Sequence, residues 1–136
     1  MKIILATILL VSASSRIDAE FFVSVDTTLI GDEEVLGEIV EIIKRELNNI
    51  DDITVIESPE QAEITLRFHI AQIVTEAGLY YGSVLHMSVL VPFQSDNAGR
   101  QLLYIADDMD GAPADGYESL VRDMIHDFDD LMENSR

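Results

Sequence analysis

Residues 62–74 read AEITLRFHIAQIV, and this stretch decides the fold. Apolar and polar residues alternate along it, which predicts a long β-strand with one buried face. The predicted buried face consists of Ile64, Leu66, Phe68 and Ile70, and the opposite face of Glu63, Thr65, Arg67, His69 and Ala71. We therefore expect a half-buried strand here, with its apolar side against a core.

The next apolar stretch, residues 83–93 (SVLHMSVLVPF), alternates in the same way. If the chain turns at Ala77-Gly78, the two stretches pair as an antiparallel hairpin with Phe68 opposite Met87. This register brings the two apolar faces together. It also places His69 opposite His86 on the outer face, with Cβ atoms about 5 Å apart.

The remaining periodic segments complete the predicted fold. Strands are predicted at 21–27, 53–56 and 102–106, and helices at 35–47 and 117–132. The resulting order is β-α-β-β-β-β-α. It predicts an α+β two-layer sandwich: a mixed sheet of about five strands with both helices on one face.

The first residues, MKIILATILLVSASSRIDA, are typical of a secretory signal peptide. Lys2 supplies the positive charge, an apolar run follows, and Ala19 is a small residue at a plausible cleavage point. The alternative is a buried N-terminal strand or helix. We expect residues 1–19 to be removed and residues 20–136 to form a single domain, periplasmic or secreted. Because the chain has no cysteine, we expect no lipid anchor and no membrane anchor after cleavage.

The charge balance restricts the partners. The chain has 26 acidic and 8 basic residues, a formal net charge of −18. Such a surface repels nucleic acids and anionic membranes and favours cations or basic partners, although the charge can also simply maintain solubility. The last predicted helix carries an acidic stripe that we interpret as its solvated face: Asp123, His126, Asp127 and Asp130.

Residues 106–116 read ADDMDGAPADG and hold four carboxylates and two glycines in eleven positions. The stretch lacks the ligands that an EF-hand loop requires at its first and last positions. Two interpretations stay open. One is an irregular calcium site formed by Asp107, Asp108 and Asp110, and the other is an acidic turn before a helix that Asp115 caps.

Two further groups of residues are candidate sites. His69 and His86 could share a zinc ion with an acidic third ligand, or they could be two polar residues on a solvated face. Tyr80 and Tyr81 at the predicted hairpin turn suggest a protein contact site, together with Arg67 and the two histidines. The sequence contains no recognisable catalytic motif, and we expect no enzymatic activity.

Residues 61–68, QAEITLRF, resemble a phrase of the form xxADYxLxGxI that introduces the central strand in small bacterial envelope accessory domains. This loose group includes the TolB amino-terminal domain and curli-assembly domains. Ala62 and Glu63 stand where the group has an Ala-Asp pair. The chain lacks the group's lipid-anchor cysteine and its glycine inside the central strand. The resemblance implies a non-catalytic domain that works through protein contacts.

The sequence therefore predicts a small exported, non-catalytic binding or accessory protein with a protein partner in the cell envelope. The alternative is a protein that binds a divalent cation, calcium or zinc. No other cofactor is expected.

Overall fold

The computed structural model describes residues 20–97 and 99–134, so the predicted signal peptide lies outside the described residues. The strands are β1 (Phe21–Ile30), β2 (Ile53–Val55), β3 (Ile64–Val74), β4 (Tyr80–Ser95) and β5 (Gly99–Pro113). The helices are α1 (Glu33–Asn48) and α2 (Tyr117–Glu133).

The strands form one mixed sheet of five strands in the order β2-β1-β3-β4-β5. β1 runs parallel to both of its neighbours, and β3, β4 and β5 form an antiparallel meander. This architecture confirms the predicted α+β sandwich. The register between β3 and β4 is also the predicted one, with Phe68 opposite Met87 and His69 opposite His86.

One face of the sheet and both helices enclose a single core. On the sheet side, Phe21, Leu66 and Phe68 are buried, and they pack with the apolar stripes of the helices. The buried stripe of α1 is Leu36, Ile39, Ile43 and Leu47, and that of α2 is Leu120, Val121, Met124, Ile125, Phe128 and Met132. These spacings of three and four residues are the ones that place side chains on one helical face.

Helix α1 has well-satisfied ends. The carboxylate of Asp32 accepts hydrogen bonds from the backbone N–H groups of Glu34 and Val35, at 2.9 and 3.4 Å. Arg45 lies in its last turn, where a positive charge suits the helix dipole. Arg45 also donates to Glu118 of α2 at 2.8 Å and so links the two helices.

The segment 56–63 crosses β1, because β2 and β3 lie on opposite sides of that strand. The backbone N–H of Ile56 donates to Val23, and that of Glu63 donates to Phe22, so β1 holds both ends of the crossing. The helices occupy one face of the sheet, which leaves the crossing on the other. There it helps to bury Ser24, whose hydroxyl hydrogen-bonds to that of Thr65 at 2.8 Å.

The predicted turn within residues 106–116 is wrong over most of its length. β5 continues to Pro113, and residues 106–113 pair with β4. β4 is 16 residues long and offers backbone partners along this whole stretch, which outweighs the low strand propensity of aspartate. α2 then begins after Gly116 without a side-chain cap, so the predicted capping by Asp115 is also wrong.

Within residues 20–97 and 99–134, no helix has the length and apolar content that a membrane crossing requires.

Replacing Phe68 with alanine tests the position of the core. Its ring is fully buried on the middle strand, so Phe68→Ala should lower the free energy of unfolding by about 3–5 kcal/mol. The matched control is Phe93→Ala, because Phe93 is 49% exposed and its loss should cost less than about 1 kcal/mol. Urea unfolding measures both, and equal losses would contradict this arrangement.

Candidate functional site

The face of the sheet opposite the helices is the larger candidate site. No helix or second sheet covers it among the described residues. Alternation along each strand places on this outer face the following side chains: Asp26, Thr65, Arg67, His69, Ile73, Val84, His86, Ser88, Leu90, Tyr104, Asp107 and Met109. Ile73, Tyr104 and Met109 are apolar or aromatic and are 41%, 47% and 67% exposed.

A polar cluster lies at the centre of the outer face. The Nε2 atom of His86 is 3.1 Å from Oδ2 of Asp107, and the hydroxyl of Tyr104 donates to the same carboxylate. The hydrogen bonds from Tyr104 and then His86 hold the pKa of Asp107 below its usual range, and the contact raises the pKa of Tyr104. The ring of His69 stacks on that of His86, with centroids 5.9 Å apart.

The predicted metal sites do not assemble in this geometry. Asp107 lies on the outer face, whereas alternation along β5 places Asp108 and Asp110 on the helix side. The three carboxylates therefore cannot surround one calcium ion, and that prediction is wrong. His69 and His86 are neighbours as predicted, but among residues 20–97 and 99–134 no three acidic, histidine or cysteine side chains are grouped to hold a metal ion.

A groove of about 390 Å³ lies at one end of the outer face, beside the crossing segment. Its lining residues are Ser24, Val25, Asp26, Glu57, Pro59, Thr65, Arg67 and Leu102. Asp26 is on β1 and Leu102 on β5, which are three strand spacings or about 14 Å apart in a flat sheet. Both line one groove together with Glu57 and Pro59 of the crossing segment, so the surface is concave at this end.

Two contacts fix the walls of the groove. The guanidinium of Arg100 on β5 donates to the carbonyl of Pro59 at 2.8 Å and ties the two walls together. Inside, Nε of Arg67 donates to Oδ2 of Asp26 at 3.0 Å. The groove therefore offers a paired cation and anion, with a leucine beside them.

The two predicted contact tyrosines have different environments. A register shift between Ile73 and Val74 leaves Tyr81 out of the β3–β4 pairing, and its side chain is 66% exposed. Tyr80 is half-buried, and its hydroxyl hydrogen-bonds to the buried Ser83. Of the two tyrosines, only Tyr81 therefore presents most of its side chain to solvent. Of the predicted contact residues, Arg67, His69 and His86 lie together on the outer face.

A second cavity lies on the helix side, between β5 and the C-terminal end of α2. We call it the acidic notch; it measures about 290 Å³ and is lined by Met87, Val89, Ala106, Asp107, Asp108, Asp127, Phe128, Asp130, Leu131 and Asn134. Burial and the nearby Asp127 carboxylate raise the pKa of Asp108. The acidic runs at 106–110 and 127–130 are visible in the sequence, but their meeting depends on the fold.

Neither a protein-family model nor a curated protein matches the chain. Among solved structures, two of the PelC dodecamer from Paraburkholderia phytofirmans are similar, each with 12% identity, at TM-scores of 0.47 and 0.46. The matches cover 85% of this chain and 87% and 86% of the PelC chains. The rare lipoprotein B from Shewanella oneidensis matches with 12% identity and a TM-score of 0.25, over 84% of this chain and 85% of that one. None of these is a TolB amino-terminal or curli-assembly domain, and at such scores they do not bear on the function of this chain.

Removing one hydroxyl tests the polar cluster. Tyr104 makes the largest contribution to the lowered pKa of Asp107, so Tyr104→Phe should raise that pKa toward its ordinary value. Carboxyl NMR titration measures it. The control is Tyr117→Phe, which removes a hydroxyl bonded to Glu38 on the helix side and should leave Asp107 unchanged. An unaltered Asp107 pKa in Tyr104→Phe would contradict the cluster.

The acidic notch should make stability depend on pH. The folded-state pKa of Asp108 is raised, so the folded protein binds a proton more tightly than the unfolded chain. The contribution of Asp108 to the free energy of unfolding is therefore most favourable at low pH, and it is lost as pH rises through the raised pKa. The repulsion from Asp127 therefore costs more stability above the raised pKa of Asp108 than below it.

Replacing Asp108 with asparagine should relieve this repulsion. Because Asp108 is half-buried and Asp127 is exposed, solvent screens the pair, and Asp108→Asn should stabilise the protein at pH 7 by less than about 1 kcal/mol. The gain should shrink as pH falls toward 4. Thermal unfolding at both pH values measures it, and the exposed Asp123→Asn is the control. A gain that grew at low pH would contradict the assignment.

Proposed function

We propose that the chain is an exported, non-catalytic accessory protein that binds a protein partner in the cell envelope through its outer face. The observation that carries this proposal is a sheet face that no layer covers within the described part of the chain, and that carries exposed apolar side chains together with a polar cluster. In a two-layer sandwich the free face is normally polar where it meets only water.

The composition of the outer face suits a protein contact. Tyr104 and Met109 are of the residue types enriched in protein interfaces, and so is Arg67. These side chains come from β3 and β5, so a partner lying across the strands would contact all of them. The concave groove beside Arg67 adds a pocket for one protruding side chain of that partner.

We propose that the cluster of Tyr104, Asp107 and His86 serves recognition and not catalysis. Its side chains are open to solvent, with His86 32% and Asp107 50% exposed. Acid–base catalysis depends on groups held in a water-excluding pocket, where their charges act at full strength. On an open strand face, the same groups offer hydrogen bonds to a partner.

Export follows from the predicted signal peptide, and the absence of cysteine suits a bacterial envelope compartment. A divalent-cation protein is less favoured, because no grouping of ligands supports it among the described residues.

A pair of neighbouring substitutions tests the outer face. Ile73→Glu puts a carboxylate on the outer face, where it would be buried in the interface without a partner charge, and should reduce capture of the partner at least about tenfold. Capture from an envelope extract of the source organism, quantified by mass spectrometry after cross-linking, measures the change.

The matched control is Val74→Glu, the next residue of β3, which alternation places on the opposite side and which is 52% exposed. It should capture the same protein as the unmodified chain. Equal capture by the two variants would exclude the outer face as the binding surface.

A further inference from the structure

The outward edge of β5 is open. β5 is the terminal strand of the sheet and pairs only with β4 among the described strands. It is 15 residues long, whereas β2 at the opposite edge has 3. A long terminal strand presents a row of backbone N–H and C=O groups that can pair with an added strand.

The acidic notch lies beside β5, on the helix side of the sheet. Ala106, Asp107 and Asp108 of β5 form one side of it, and Asp127 and Asp130 of α2 form the other. Its apolar lining comes from Met87, Val89, Phe128 and Leu131. An apolar floor beneath a carboxylate rim matches the lysine and arginine side chains, which bury an apolar stem and keep a charged head at the surface.

The end of α2 adds to the preference for a cation. Asp130, Leu131 and Asn134 place the notch at the C-terminal end of this helix, where the helix dipole is negative. The last turn of α2 contains no basic residue, in contrast to α1 with its Arg45. The negative end of α2 is therefore not compensated from within that turn, and a partner's cation would compensate it.

We propose that the edge of β5 accepts an extended, cationic segment of a partner protein as a sixth strand, with one lysine or arginine side chain in the acidic notch. An added strand lies about 4.8 Å from β5, which a lysine or arginine stem can span. Alternate side chains of the segment point toward the notch and toward Met109 on the outer face. This proposal does not depend on the proposed function. It rests on the edge of β5 and on the acidic notch on the helix side, whereas the proposed function rests on the outer face.

The negative charge of β5 favours pairing with a basic segment of another protein over pairing with a second copy of this chain. Edge-to-edge pairing of two β5 strands would bring Asp107, Asp108 and Asp110 of both copies together. Like charges on paired strands destabilise the pairing, and each copy carries a formal net charge of −18. A lysine-rich strand reverses the sign of that interaction.

A short synthetic peptide of alternating lysine and valine is the probe. Calorimetry should detect its binding to the full chain, and hydrogen exchange should slow at the backbone amides of residues 106–110. The same peptide N-methylated at every amide keeps its charges but cannot pair as a strand, and it should not bind. No binding of the unmethylated peptide at millimolar concentration would overturn the proposal.

Paired variants of α2 locate the cation. Asp127→Asn should raise the dissociation constant of the peptide about tenfold, whereas Asp123→Asn, one turn away and outside the notch, should change it less than about twofold. Equal effects of the two variants, or equal binding of the N-methylated peptide, would show diffuse ionic attraction and overturn the proposal. Ile73→Glu should bind the peptide like the unmodified chain, which separates this test from that of the outer face.

Discussion

The middle strand, β3, imposes the constraint on which the rest of the fold depends. It pairs with a parallel neighbour on one side and an antiparallel neighbour on the other, and its inner side chains from Ile64 to Ile70 are fully buried. Water must be excluded from this apolar row along its length. Two amphipathic helices do so, and a parallel β1 requires the chain to return through a crossover, which places α1 above the sheet.

The same constraint leaves the outer face open. Both helices are engaged on the inner side, so among residues 20–97 and 99–134 the crossing segment 56–63 is what lies on the other side, at one end. That segment and the sheet, as far as Leu102, form a groove there. The remainder of the face keeps apolar side chains in water. The proposed binding surface is thus a consequence of how the core is closed.

Alternation in the sequence predicted the core, the strand order along the chain and the pairing of His69 with His86. A shift of one residue would expose every buried side chain of β3, whereas a shift of two would keep the faces and separate His69 from His86. The hydrophobic pattern therefore restricts the register, and the turn at Ala77-Gly78 completes its specification. The acidic half of β5 was missed because its strand state comes from β4, which lies earlier in the chain and supplies the hydrogen bonds. The different environments of Tyr80 and Tyr81 could not be predicted, because the register shift that leaves Tyr81 out of the pairing has no local signal. The meeting of Asp108 with Asp127 depends on helix packing, which periodicity does not encode.

The carboxylates of β5 affect association in two opposite ways. A long open edge invites pairing between copies, and charged side chains on an edge strand are a common protection against it. Over residues 106–113 the charges of β5 are all negative, and α2 adds Asp127 and Asp130 from the other side of the notch. The one basic residue of β5, Arg100, lies at the other end of the strand and is bonded to the carbonyl of Pro59. Repulsion therefore acts on any acidic strand, including that of a second copy, but not on a basic one. An edge protected by mixed charges would reject every partner about equally, whereas this edge discriminates by sign. The repulsion between Asp108 and Asp127 in the free protein is the cost of that selectivity, and a cation placed between them would remove it.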